Sequence, residues 1–146
     1  MIEIVKHNTL VLGIILRTSF KKDGIEFFTP NDFSQQLAYM SRPAGYIIQP
    51  HVHNPVCREV HYTKEVLMIK TGIVRVDFYS DDKTYLESRI LCAGDVVLLA
   101  FGGHGFYIQE AAEIIEIKQG PYTGDQDKTR FTHVDSAKIK LIGPIL

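Results

Sequence analysis

The sequence predicts an all-β fold, an antiparallel sandwich or barrel. Short runs of alternating apolar and polar residues recur along the chain, turn residues fall between them, and no segment sustains a helical period. "IVRVDFY" (73–79) sets the pattern: Val74, Val76 and Phe78 share one face, Arg75 and Asp77 the other, which is the period of a half-buried strand. The turn signals favour a short-strand antiparallel architecture over a parallel sheet covered by helices.

In chain order, the first forty residues read as strand broken by "KKDG" (21–24) and "TPND" (29–32), with a helical turn after Pro30 that Asn31 or Asp32 would cap. "KEVLMIK", "IVRVDFY", "YLESRILC", "DVVLLAF", "GFYIQ" and "AEIIEIK" follow as separate strands, enriched in β-branched and aromatic residues. Thr71-Gly72, Ser80-Asp81-Asp82, Ala93-Gly94, Gly102-Gly103 and Gly120-Pro121 punctuate them. The tail after Gly120 begins as loop and ends in a predicted strand around "KIKLIG".

A length of 146 residues fits one domain, spanning 1–146, with a proper core. Hydrophobic residues at 45 % and charged residues at 23 % exclude a disordered chain. The net charge is −1 with no basic run or face, so nucleic acid is not an expected partner. Cys57 and Cys92 are the only cysteines and form no CxxC, which fits two reduced thiols rather than a disulfide framework. "LVLGIIL" (10–16) is too short to span a bilayer and no secretory leader is visible, so no membrane association and a cytoplasmic location are expected.

The chemistry concentrates in "QPHVHNPVCREVHYTKEVLMIKTG" (49–72). On a strand, His51 and His53 leave the same face, together with Gln49 and Ile47, and two adjacent imidazoles can reach one metal ion. Glu65 opens the next strand with Leu67 and Ile69 on its face. A carboxylate in apolar company is costly to bury unless paired or metal-bound. His104 lies in "FGGHGF", whose glycines permit close approach of the backbone. Two or three histidines and one carboxylate suit Fe, Mn, Ni, Zn or Co, with open positions for a ligand. The competing reading makes these surface or turn histidines, with Glu65 paired to Arg58 or Lys64. Arg58, in the loop above such a site, is either a solvated charge or a bidentate grip on a carboxylate or phosphate. Lys118, Gln119 and Tyr122 are further candidates for lining a pocket, and His61, Tyr107 and Tyr122 for a general base.

These residues resemble the motifs of the cupin superfamily. Gly45, five residues, His51-Val52-His53, then Glu65, six residues and Gly72 follow its first motif; Gly94, five residues, Ala100, Gly102 and His104 follow its second. The chain departs from the pattern at four points. Eleven residues separate His53 from Glu65, Ala100 replaces a proline, His104 comes one residue early, and Ile108 stands where asparagine is usual. Glu59 is the other carboxylate within range, but no glycine follows it at the required distance.

The resemblance covers about residues 36–119. It implies a double-stranded β-helix, a jelly-roll barrel with the site in its mouth, and makes His51, His53, Glu65 and His104 the metal ligands. It implies a small-molecule ligand, such as a sugar derivative or an oxo-acid. It leaves open an isomerase, dioxygenase or lyase that uses a metal, a sugar-nucleotide isomerase or epimerase that does not, and a non-catalytic binding or sensing protein. The apolar stretches "LVLGIIL" and "KLIGPIL", outside the motif-bearing span, are expected to pack on a second subunit in a homodimer.

Overall fold

The computed structural model describes residues 1–144. Its strands are β1 (Ile2–His7), β2 (Leu10–Leu16), β3 (Gly24–Phe27), β4 (Ala38–Ser41), β5 (Glu65–Tyr79), β6 (Tyr85–Cys92), β7 (Val96–Leu99) and β8 (Gly103–Lys118). Short 3₁₀ turns at Gly124–Asp127 and Ser136–Lys138 are the only helical elements among the described residues. None is long and apolar enough to cross a membrane.

Six strands form one antiparallel sheet in the order β1-β2-β7-β5-β6, and β8 pairs along the other side of β5. Glu65–Met68 face β7, residues 73–79 face β6, and β8 runs beside β5 from Lys118 opposite Glu65 to Gly103 opposite Tyr79. Val5 on β1 and Leu91 on β6 stand at opposite ends of this strand order yet share one hydrophobic cluster with Leu67, Val76 and Phe78. The sheet is therefore curled into a half-barrel, with the larger core on its inner face. Ile14, Val66 and Leu98 form a second core on the outer face, where Phe28 and Phe33 pack from the β3–β4 hairpin and its loop.

Several expected elements differ. The strands "KEVLMIK" and "IVRVDFY" are one strand, β5, and "GFYIQ" and "AEIIEIK" are one strand, β8. Gly72 does not end a strand; it sits at φ +79° in a bulged stretch where a Cβ would strike the backbone of Ala111. Glycine lets the long ribbon bend without interrupting it. "LVLGIIL" is an interior strand of its own sheet: as β2 it lies between β1 and β7, with Ile14 and Ile15 at 1 % and 0 % exposure. The sheet thus takes in β1 and β2 in addition to the span 36–119. The segment after Pro30 makes a single turn, Phe33 N–H to Pro30 C=O (3.1 Å), and no helix.

Around "KIKLIG" only Leu141 bridges the sheet, parallel to Ser88, whose N–H donates to Lys140 C=O (2.8 Å). The final two residues of "KLIGPIL" lie outside the described residues. Residues 42–63 carry no regular structure. The strand expected at 47–53 is absent because no sheet edge pairs with it among the described residues, and a lone strand leaves its backbone groups to water.

Candidate functional site

Two of the sequence candidates meet on the inner face. Glu65 is the first residue of β5 and stands opposite Leu99 of β7, which places its side chain with Leu67 and Ile69 on the core side. His104 enters at the start of β8 opposite Phe78, another core-side residue. The curl brings them together although 39 positions separate them in sequence: His104 Nε2 lies 3.1 Å from Glu65 Oε2, with the side chains 30 % and 18 % exposed. The hydrogen bond from His104 holds the Glu65 carboxyl below its ordinary range; burial opposes this, and the positive charges of His104, Lys118 and Lys128 reinforce it.

The pair borders a cavity of about 550 Å³. Phe106 and Tyr79 contribute from the sheet, Thr63 from the segment before β5, and residues 127–131 with His133 from the tail. Glu65 is held in place from behind. Lys64 points to the outer face, buried, its ammonium 4.7 Å from the Phe101 ring centroid and 3.3 Å from Ser34 Oγ. Burial pushes its pKa down, with Asp32 opposing. Gln119 accepts from Lys64 N–H (3.1 Å) and donates to Ser34 Oγ (3.0 Å), tying the start of β5 to the end of β8. Lys64 is accordingly a brace on the outer face, not the ion-pair partner of Glu65.

His51 and His53 lie in the coil, exposed, with their rings 5.3 Å apart and His51 Nδ1 3.0 Å from Gln49 C=O. The four candidate ligands thus form two pairs, Glu65 with His104 and His51 with His53. Among the described residues no group of three or more His, Cys, Asp or Glu converges as a metal centre. Glu59 is in the same coil, 82 % exposed on its side chain and 3.3 Å from His61. Arg58 and Cys57 are exposed there as well. Lys118 pairs with Glu116 (3.4 Å) and lies over the ring of exposed Tyr122.

Sequence reading missed the tail wall of the cavity. Thr63, Asp127, Lys128, Arg130, Phe131 and His133 carried no signal except one: Phe131 is a lone aromatic in the polar run "DKTRFTH" and has to pack somewhere. It packs on Tyr79, 5.0 Å between centroids. No protein-family model, curated protein or solved structure matches the chain.

Proposed function

We propose that the chain is a metal-binding cupin acting on a small polar metabolite such as a sugar derivative or an oxo-acid. The observation that carries this reading is the Glu65–His104 pair. A carboxylate and an imidazole from two strands converge on the inner face at the edge of a cavity large enough for a small ligand. They are donors of the type that divalent transition metals prefer.

Completion of the site needs His51 and His53, and β8 supplies a place for them. Its outer edge pairs with no strand among the described residues. The coil at 46–53 presents exposed Tyr46, Ile47, Ile48 and Val52, a strand-like composition without a strand partner. Residues 46–53 pairing with the first half of β8 would close the half-barrel into a double-stranded β-helix. His104 is on that half, so the added strand would carry His51 and His53 toward it. Fe, Mn, Ni, Zn or Co held by His51, His53, Glu65 and His104 would supply Lewis acidity. Glu65 and His104 orient one another, and Phe106 and Tyr79 line the cavity beside them.

Elemental analysis of protein purified without chelator or affinity tag should find about one divalent transition metal per chain. His51→Ala and His53→Ala should each lose most of it with the fold intact. Glu65→Gln should lose metal where Glu59→Gln does not. A protein that arrives metal-free and takes up none of the five ions would overturn the metal reading. A second reading then stands on the same pair: a metal-independent isomerase or epimerase in which His104, oriented by Glu65, moves the proton.

A further inference from the structure

Between Asp127 and Val134 the tail crosses the cavity as a strap fixed at both ends. At one end Asp127 accepts a hydrogen bond from the Thr63 hydroxyl (2.7 Å), two residues before Glu65. At the other, Phe131 packs edge-on against Tyr79, and the Val134 N–H donates to the Tyr79 hydroxyl (3.0 Å). Gly103 makes room for this contact, since a Cβ there would stand 2.9 Å from the Phe131 ring. Lys128, Thr129 and Arg130 lie between the anchors and line the cavity.

The charged groups of the cavity have unequal partners. Glu65 is engaged by His104, Glu116 by Lys118, and Asp127 by the Thr63 hydroxyl. Arg130 reaches Asp125 through one nitrogen (2.9 Å), which leaves the rest of its guanidinium fork available. Lys128 makes no ion pair among the described residues and lines the same cavity as Glu65. A cation on a tethered segment, lining the cavity and in no ion pair, is suited to a ligand oxyanion, with the adjacent Asp127, whose charge a hydroxyl does not neutralise, as its competitor.

We propose that the strap is an oxyanion site, in which Lys128, assisted by Arg130, receives the carboxylate or phosphate of the small molecule whose other end lies at Glu65 and His104. This deepens the reading of the cavity given above and gives the anion-gripping role to the strap, not to Arg58 in the exposed coil. It does not require the metal, so its test is made without one.

Isotope-labelled full-length protein, stripped of metal, is titrated with inorganic phosphate and separately with malonate. Sodium chloride at equal ionic strength is the control, and amide shifts are the readout. Saturable shifts at residues 128–131 with either anion, absent with chloride, are expected, and the tighter of the two identifies the group. Lys128→Ala should weaken binding by about tenfold or more, the effect of one charge-assisted hydrogen bond. Lys128→Arg should restore most of it, and Lys22→Ala, in the coil before β3 and outside the cavity lining, should change nothing. Shifts that never saturate, or a Lys128→Ala variant that binds as the parent does, would overturn the site. Failure of metal uptake leaves this result untouched, and failure of anion binding leaves the metal reading standing.

Discussion

Arg17 shows how much of this fold depends on single buried charges. It is 7 % exposed at the end of β2, donating from Nε to Glu3 (2.6 Å) and from Nη1 to Asp95 (2.8 Å) and to Ile90 C=O (2.6 Å). Asp95 also accepts the N–H groups of Thr18 (2.9 Å) and Cys92 (3.0 Å), and Glu3 is shared with Arg89 (2.7 Å). One side chain therefore ties together β1, β2, β6 and the turn before β7. Arg17→Ala would leave two carboxylates buried with one partner fewer, so a loss of about 3–5 kcal/mol is expected. Urea unfolding checks this, and a loss below about 1 kcal/mol would mean that water replaces the guanidinium. None of this was legible in the sequence. An arginine after an apolar run reads as a strand end, and its partner Asp95 lies 78 positions away.

At the scale of elements, the strands were legible because alternation is local: Val74, Val76 and Phe78 sit on the core face as their spacing predicts. Their continuity was not, since a Thr-Gly pair reads as a turn whether the chain turns or only bulges, and the difference is set by β8 lying alongside. The site divides in the same way. Glu65 could be placed on the core face from its neighbours Leu67 and Ile69, whereas the strap at 127–133 depends on a long-range contact with Tyr79. Residues 46–53 are the test of whether a strand signal without a partner still forms a strand. Pairing with β8 would protect backbone N–H groups on both sides. Hydrogen exchange should therefore slow at 47–53 and at 106–110 together when one of the five metals is added, and slow much less in the His51→Ala, His53→Ala double variant. Exchange at 47–53 that stays fast with metal bound would separate the ion from strand formation.

For the whole molecule, the part of the β8 edge that residues 46–53 would not reach bears on assembly. A segment of eight residues covers only about half of the 16-residue β8, and the half that ends at Lys118 keeps exposed Ile115 and Ile117 beside Met68 on the outer face. Phe27, Ile25 and Met40 of the β3–β4 hairpin add apolar surface of their own. Long unpaired edges next to apolar side chains invite strand addition, and a two-fold pairing of identical edges closes on itself and leaves no edge for growth. We propose that the homodimer expected from the sequence would form through this edge and not through "LVLGIIL". "LVLGIIL" is used up inside its own sheet; among the described residues β1 leaves one free edge at the end of the strand order, and residues 112–118 leave another, flanked by exposed Ile115 and Ile117. A two-fold centred on Ile115 would set Glu113 opposite Ile117, Ile114 opposite Glu116 and Ala112 opposite Lys118, so antiparallel copies can pair without placing like charges directly opposite. Light scattering coupled to gel filtration at micromolar concentration should give twice the chain mass of 16.6 kDa. Ile115→Lys with Ile117→Lys, on the side chains that flank the edge, should return it to the monomer with the metal content unchanged. A parent protein that already runs as a monomer would exclude the edge as an interface.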